Sequence, residues 1–355
     1  RYRVFVRLVM ARLQSTASEG LYPFDSAEEF AADLQLIAHS LETNRGQHAG
    51  LFAVRRLLRR VETFGFHFMA LDVRQEALVN RGVIGRGLNE PDWLAQTPAY
   101  RLERLRRALA ANESPAGELD NEARRAIGIF EAIAFCRRRY GKRSIGPYII
   151  SMAEGVDDVL SVLLLAQWGE LRKRSGTVPL DIAPAFETIH GLRGAAALMR
   201  QLYAEPVYRE HLEARRRKQT AMPGIADNNV ESDLTSARWV LLKAQRELLD
   251  TARADGVQLT LFHGRGGAIG AGGGKAHVDI RCAPAGGVEG GVRVIEQGEL
   301  VANKYGVRAI ALRTFDQALA AGLRSLVRPG RPPAAEGHRD WEDAMQVLAD
   351  ASRAH

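Results

Sequence analysis

Two acidic residues follow short apolar segments of the sequence, at positions where they could bind a divalent cation. Glu187 comes directly after segment 182–186, and Asp227 comes two residues after segment 220–225. Carboxylate oxygens at neighbouring strand ends suit a hard cation such as Mg²⁺ or Mn²⁺. Acidic residues are also favoured at helix N-termini, so either one could instead cap the helix that follows. The pair is therefore a candidate metal site with a capping alternative.

A glycine-rich stretch from His263 to Gly274 is the second candidate site. It contains Arg265, followed by Gly266 and Gly267. Glycines cost conformational entropy, and backbone N–H groups in such loops bind phosphate oxygens, with arginine adding a bidentate contact. The alternative is an exposed surface loop. The stretch is neither a Walker A loop nor a dinucleotide fingerprint, because the Lys-Ser/Thr ending and the directly following helix start are both missing.

Other polar residues give weaker signals. Arg74 follows an apolar segment and could contact a phosphate, or it could cap a helix or form an ion pair. His190 and His277 have no partner at ligand spacing, so we expect both to be structural.

The elements that must position these residues recur along the chain. Short apolar segments with the composition of strands are 68–73, 148–152, 182–186, 220–225, 258–262 and 292–295. The last five begin 34 to 38 residues apart, with helical patterns between them. This period predicts a parallel (β/α) barrel, incomplete in this chain and embedded in many additional α-helices. An open doubly wound sheet is the alternative, and both folds place ligands at the carboxyl ends of strands.

Helical patterns predict the organisation of the rest of the chain. Residues 1–65 form a helical segment leading into the barrel, and Asp25-Ser26 is typical of a helix start. We assign 66–330 to the barrel, with a helical insertion at about 80–145, and 331–355 to the start of a C-terminal helical region. The sequence has the pattern of part of a longer chain.

Composition narrows the function classes. The 355 residues are 46% hydrophobic and 26% charged, with a net charge of +7 that comes mostly from arginine clusters. We expect these clusters on solvated helix faces and not on nucleic acid, because no aromatic residues interleave with them. No apolar run reaches the roughly 18 residues of a membrane span. Two distant cysteines give neither a disulfide framework nor a zinc site, which favours a reducing cytoplasm.

Several segments in order resemble the central part of the phosphoenolpyruvate carboxylase family. They match the family's strand segments and its glycine-rich loop. The matching segments are Phe64-Gly65 with 71–76, Tyr148-Ile149-Ile150-Ser151-Met152-Ala153 with 157–160, Pro184-Ala185-Phe186-Glu187-Thr188, 259–267 with Gly272-Gly273-Gly274, and 293–299 with Lys304-Tyr305-Gly306.

The resemblance implies an enzyme of the carbon-carbon lyase class. Members join phosphoenolpyruvate to bicarbonate, giving oxaloacetate and phosphate, and require Mg²⁺ or Mn²⁺. The family works in the cytoplasm, where it supplies oxaloacetate to the tricarboxylic acid cycle, and is usually a tetramer. We therefore expect a homo-oligomer in the full-length form, with no nucleic-acid or membrane partner.

The same resemblance assigns roles to individual residues. Glu187 and Asp227 would be the metal ligands, and Arg74 and Arg265 would contact the phosphoryl group. Gly266 and Gly267 would line the substrate loop, and His263 would act in the carboxylation step.

Two positions depart from the family pattern. Val230 stands where the family has a catalytic lysine, and Ala271 stands where the loop has a second arginine. Valine can neither neutralise charge nor donate a hydrogen bond, and losing one such donor costs roughly 10²–10³ in rate. The family's Thr-Ala-His-Pro-Thr motif does not occur in these residues. We expect this chain alone to have negligible activity.

Three interpretations stay open at this point. The sequence could be part of a divergent carboxylase, or of a carboxylase-like protein that keeps metal or anion binding, or a scaffolding role, without catalysis. It could also be a degraded gene product with no role.

Overall fold

The structure, a computed structural model, describes residues 2–116, 119–173, 176–224, 234–263, 276–294, 298–327 and 335–353. Among the described residues, successive strands from residue 71 onward are separated by one or more helices. The α-helices are α1 Tyr2–Ser18, α2 Ala27–Thr43, α3 Phe52–Phe64, α4 Ala77–Gly87, α5 Pro98–Ala110, α6 Asn121–Tyr140, α7 Val156–Trp168, α8 Ile189–Ala204, α9 Pro206–Ala214, α10 Leu234–Ala254, α11 Ala276–Cys282, α12 Gly298–Tyr305, α13 Arg308–Val327 and α14 Ala335–Arg353. The strands are β1 Leu71–Glu76, β2 Ile145–Ser151, β3 Ile182–Phe186, β4 Lys218–Pro223, β5 Gln258–His263 and β6 Val292–Val294.

The sheet confirms the prediction of an incomplete parallel barrel. Its strands lie in the order β1-β2-β3-β4-β5-β6, and the pairs from β2 to β6 are parallel. A doubly wound sheet reverses its strand order near the middle, whereas this order follows the chain throughout. The open-sheet alternative is therefore wrong.

The inner face of this partial barrel is apolar. Ile149, Ala183, Ala185, Met222 and Phe262 form one buried cluster contributed by β2, β3, β4 and β5. Each strand supplies side chains to both faces, which explains why these segments are apolar almost throughout. The cluster therefore joins four neighbouring strands.

The bounds of β1 differ from the sequence prediction. The aromatic run at 66–68 does not enter the strand; Phe68 has φ of 64° and its ring stacks on Phe64 at the end of α3. The strand begins at Leu71 and extends through Arg74 to Glu76. Arg74 therefore lies within β1, and not after it.

The chain divides into two compact units. The first comprises residues 1–73 and 128–146, and the second comprises 74–127 and 147–355. The core of the first unit includes Phe24, Phe30 and Leu34. Ser26 caps α2 there by accepting a hydrogen bond from the backbone N–H of Glu29 at 3.1 Å, as the sequence predicted.

In the second unit, the basic run Arg215-Arg216-Arg217-Lys218 departs from the expectation of a solvated helix face. Arg215, Arg216 and Arg217 form the turn between α9 and β4, Lys218 is the first residue of β4, and Arg216 and Arg217 both have positive φ. Nη2 of Arg215 lies 2.6 Å from Oδ1 of Asp181. One of the four charges is therefore part of a partly buried ion pair.

The C-terminal helix α14 also belongs to the second unit and packs on α10. The rings of Trp239 and Trp341 meet edge to face with centroids 5.8 Å apart, and Trp239 Nε1 donates to Gln346 Oε1 at 2.9 Å. Among the described residues, every helix is too short or too polar to cross a lipid bilayer.

Candidate active site

Arg74 and Glu187 form an ion pair at the carboxyl ends of β1 and β3. Nη2 of Arg74 donates to Oε1 of Glu187, and Nε of Arg74 donates to Oγ of Ser151 at 2.5 Å. The guanidinium is 47% exposed and the carboxylate 12% exposed. The structure thus brings together two of the residues that the sequence singled out, and fixes the arginine through two of its nitrogens.

The capping alternative for Glu187 is wrong. The N-cap of α8 is the next residue, Thr188, whose hydroxyl accepts a hydrogen bond from the backbone N–H of Gly191 at 2.9 Å. Because the Thr188 hydroxyl accepts a hydrogen bond from the first turn of α8, the Glu187 carboxylate does not cap this helix and instead pairs with Arg74. Likewise, Arg74 is ion-paired and does not cap α4, which begins at Ala77.

Ser151 is a site residue that the residue-by-residue argument did not single out. It is the last residue of β2 and is buried. A serine at a strand end has no distinctive spacing, so the available signal was its place in the segment that matches the carboxylase family. Its hydroxyl acts as an acceptor that orients the Arg74 guanidinium.

Buried ion pairs hold the strands that carry Arg74 and Ser151. In α4, which follows β1, Nε and Nη2 of Arg81 donate to the two carboxylate oxygens of Asp158 at 2.6 and 2.8 Å. Asp158 lies in the first turn of α7, which follows β2, and also accepts backbone hydrogen bonds from Glu154 and Gly155. A bidentate arginine–carboxylate pair fixes geometry as well as charge. The two strand–helix units are therefore linked by this pair.

Two further buried hydrogen bonds join β2 to α4 and α5 to α7. The hydroxyl of Tyr148 in β2 donates to Asn80 Oδ1 in α4 at 3.0 Å, and Nε of Arg101 donates to Asp157 Oδ2 at 2.7 Å. Burial, and then repulsion by the neighbouring Asp158, raises the pKa of Asp157, while Arg101 opposes that change. Asp157 serves packing of the first turn of α7 and not the site itself.

Backbone hydrogen bonds bring the carboxyl ends of β2, β3 and β4 to one edge. The N–H of Ala153 donates to Ala185 O at 3.3 Å, and the N–H of Gly224 donates to Phe186 O at 3.0 Å. Phe186 immediately precedes Glu187. The chain that leads from β4 toward Asp227 therefore departs beside Glu187.

Most of the other predicted site residues lie outside the described residues. These are Asp227, Val230, Arg265, Gly266, Gly267 and Ala271. The backbone of His263 ends β5 and is in register with Val294, but its side chain is likewise outside the description. Their roles stay predictions.

For a divalent cation, the described residues supply one suitable donor at this edge. Glu187 offers hard carboxylate oxygens, which suit Mg²⁺ or Mn²⁺. Within the described part of the chain, no group of three or more histidine, cysteine, aspartate or glutamate side chains could hold a metal. Mg²⁺ sites with one or two carboxylates are completed by water and substrate phosphate, so the donor set fits that kind of site.

Comparison with known proteins finds relatives whose sequences match nearly the whole chain. A family model described as phosphoenolpyruvate carboxylase matches residues 2–355. The phosphoenolpyruvate carboxylase of Xanthomonas euvesicatoria pv. vesicatoria (strain 85-10) is 45% identical over 99% of this chain, and that of Burkholderia mallei (strain SAVP1) is 35% identical over 94%. The matched regions span 39% and 35% of those proteins. The chain therefore corresponds to somewhat more than a third of each relative.

Proposed function

The chain belongs to the phosphoenolpyruvate carboxylase family, and we propose that it supplies the carboxylase active-site edge that binds a phosphate ester and a divalent cation. The observation that carries this proposal is the Arg74–Glu187 pair, which spans the end of β2 at the carboxyl edge of the sheet. An always-charged guanidinium binds phosphoryl oxygens, and a carboxylate binds the cation that accompanies them. The two groups have the opposite charges that such a bound pair requires.

The proposed reaction joins phosphoenolpyruvate and bicarbonate to give oxaloacetate and phosphate, the work of a carbon-carbon lyase. Bicarbonate attacks the phosphorus, which gives carboxyphosphate and the enolate of pyruvate. Carbon dioxide released from carboxyphosphate is then captured by the enolate carbon. When bound, Mg²⁺ or Mn²⁺ supplies a Lewis acid that stabilises negative charge on oxygen.

Within this scheme, each described residue has a defined part. Arg74 binds a phosphoryl oxygen through its exposed guanidinium edge, and Ser151 holds that guanidinium through Nε. Glu187 provides a carboxylate for the cation, with its orientation fixed by Arg74. Asp227 as a second cation ligand, Arg265 as a second phosphoryl contact and His263 in the carboxylation step complete the proposal.

Binding of phosphoenolpyruvate in the presence of Mn²⁺, followed by titration calorimetry, tests this assignment. We expect saturable binding by the wild-type chain and at least about tenfold weaker binding by Arg74→Gln, because one charge-assisted contact is lost. Arg200→Gln is the matched control, since Arg200 is an exposed arginine on α8, away from the strand end. Wild-type and Arg74→Gln chains that bind equally well, or not at all, would refute the proposal.

A second candidate function is binding without turnover. Val230 and Ala271 lack the positive charges that the family carries at those positions, and this favours a member that keeps phosphoenolpyruvate or cation affinity but forms little oxaloacetate. A coupled assay with malate dehydrogenase, run on a full-length protein that carries this region, separates the two candidates. Turnover near the ~10 s⁻¹ of an ordinary enzyme would remove the second candidate.

The proposal also covers the cellular location and the oligomeric state. We expect the enzyme to work in the cytoplasm and to supply oxaloacetate for the tricarboxylic acid cycle. We also expect assembly with copies of itself, as in the family tetramer.

A further inference from the structure

Two side-chain contacts with the same sequence offset join the first two strand–helix units of the sheet. Nε of Arg74 in β1 donates to Oγ of Ser151 at the end of β2 at 2.5 Å. Seven residues further along both segments, Arg81 of α4 pairs with Asp158 of α7 at 2.6 Å. Both pairs are 77 residues apart in the sequence. One contact therefore lies at the carboxylase edge, and the other lies where the two following helices pack together.

Asp158 has a second set of contacts, on the turn that connects Ser151 to α7. Its Oδ2 accepts the backbone N–H groups of Glu154 at 2.9 Å and Gly155 at 3.1 Å, in addition to Nη2 of Arg81 at 2.8 Å. The Asp158 side chain is fully buried. Hydrogen bonds to an ionised carboxylate are stronger than those between neutral groups. Asp158 thus ties α4 to the backbone that follows Ser151.

The turn itself has a backbone conformation that its side chains do not favour. Met152, directly after Ser151, has φ of 55°, in the left-handed region that residues other than glycine rarely adopt. Such a residue stays there only when its surroundings determine its conformation. The N–H of Ala153 donates to Ala185 O in β3 at 3.3 Å, and Asp158 holds the next two residues of the turn. These bonds keep the turn, and with it Ser151, in place.

A neighbouring acid in the same turn of α7 provides a comparison. Asp157 is 2% exposed, and its Oδ2 accepts a hydrogen bond from Nε of Arg101 at 2.7 Å. This bond joins α7 to α5, whereas the bonds of Asp158 join α7 to α4 and to the turn after Ser151. The two acids are therefore alike in burial and in having an arginine partner, but they hold different parts of the fold.

We propose that Asp158 is a positioning residue for the carboxylase edge, which fixes Ser151 through the turn and α4 through Arg81, and so orients the Arg74 guanidinium toward a phosphoryl oxygen. The inference rests on the proposed role of Arg74 in binding phosphoenolpyruvate. Because the Asp158 side chain is fully buried, it acts through Arg74 and not by contact with substrate. Arginine recognises phosphate through parallel N–H donors of a planar group, so its orientation determines the strength of the contact.

A double-mutant cycle on phosphoenolpyruvate binding tests this role. Titration calorimetry in the presence of Mn²⁺ gives the Kd of the wild-type chain, Asp158→Asn, Arg74→Gln and the double variant. We expect Asp158→Asn to raise the Kd about fivefold in the wild-type background and to leave it unchanged in the Arg74→Gln background, because the effects of coupled residues are not additive. A purely structural role would weaken binding in both backgrounds alike.

Asp157→Asn is the matched control, since it removes the charge of an equally buried, ion-paired acid in the same helical turn. It should leave the Kd for phosphoenolpyruvate unchanged. Circular dichroism checks that each variant is folded. If Asp158→Asn does not fold, Arg81→Lys takes its place in the cycle. Lysine keeps the positive charge but cannot reproduce the bidentate contact with Asp158, so we expect the same dependence on Arg74.

The outcomes separate this inference from the proposed function. Wild-type binding by Asp158→Asn, together with at least about tenfold weaker binding by Arg74→Gln, would overturn the positioning role and leave the proposed function standing. Equal weakening in both backgrounds, or equal weakening by Asp157→Asn, would also overturn the positioning role. Wild-type binding by Arg74→Gln, or no binding by the wild-type chain, would overturn both.

Discussion

Arg74 and Glu187 are 113 residues apart in the sequence, yet their side chains form an ion pair where β1 and β3 end. Ser151 at the end of β2 orients the arginine, and Thr188 caps the helix that follows the glutamate. The pair is thus held from both sides by residues that have no charge of their own. The predictions below follow from this arrangement and from buried charged groups elsewhere in the second unit.

The Glu187 carboxylate should determine cation affinity. Glu187→Gln replaces an anionic oxygen with a neutral amide, so we expect Mn²⁺ affinity, measured by electron paramagnetic resonance titration, to fall at least about tenfold. Glu213→Gln, an exposed carboxylate on α9, is the control. Equal Mn²⁺ affinity in all three proteins would mean that Glu187 does not bind the cation.

The Arg81–Asp158 pair should contribute strongly to stability. Asp158 is fully buried, whereas Glu154, which contacts the same arginine at 3.2 Å, is 70% exposed. Asp158→Asn leaves a largely buried guanidinium with only the exposed Glu154 as its charge partner, and we expect it to lower the free energy of unfolding in urea by about 3 kcal/mol. Glu154→Gln should change it by less than about 1 kcal/mol. Similar losses for the two variants would contradict a special role for the buried pair.

Acid should destabilise the fold through His211. Its pKa is about 3 in the folded chain against 6.5 when unfolded, because burial and Arg215 disfavour the charged ring. Between these values the unfolded chain binds the extra proton, so stability falls as pH decreases from 6.5 toward 3 and is unaffected above that window.

The slope of this loss reaches about 1.4 kcal/mol per pH unit. His211 lines a pocket together with Arg172 and Glu210, and Tyr208 and Arg215 are the other titratable or charged groups near its ring. Urea unfolding of wild-type and His211→Phe chains at several pH values isolates the contribution of the histidine. Parallel stability profiles for the two proteins would exclude it.

Restoring the two family charges should restore rate. We suggest replacing the matching region of the Xanthomonas euvesicatoria relative with residues 2–355, with and without Val230→Lys and Ala271→Arg. If these positions are the defect, the double substitution should raise oxaloacetate formation by roughly 10²-fold or more, since each replaces a lost donor to developing charge. No gain would locate the defect elsewhere in the chain.

The sequence was sufficient to predict the fold class and the meeting of Arg74 with Glu187 at one edge of the sheet, because strand-and-helix units at a regular period allow few topologies. β3 occurs at the predicted bounds, Ile182–Phe186. The prediction for β1 was displaced by three residues, because a run of aromatic side chains looks the same in a strand and at the exposed end of a helix. Phe68 takes a left-handed backbone conformation that its side chain does not encode.

Contacts between distant segments of the chain were harder to predict from the sequence. From the sequence, Glu187 could be either a helix cap or a metal ligand. The structure excludes the cap, because the hydroxyl of Thr188 occupies the N-cap position. His211 carried no sequence signal at all, since its importance lies in burial without a partner. Such features depend on which helices pack together, and a single sequence does not specify that.

The central claim is that Arg74 and Glu187 lie in one site built for a cation and a phosphate ester. The most direct test is a crystal structure of the chain with Mn²⁺ and phosphoenolpyruvate, using the anomalous signal of manganese. We predict Mn²⁺ at roughly 2.0–2.3 Å from carboxylate oxygens of Glu187 and Asp227, with the phosphoryl group against Arg74. Manganese bound elsewhere, or a phosphoryl group out of reach of Arg74, would contradict the account.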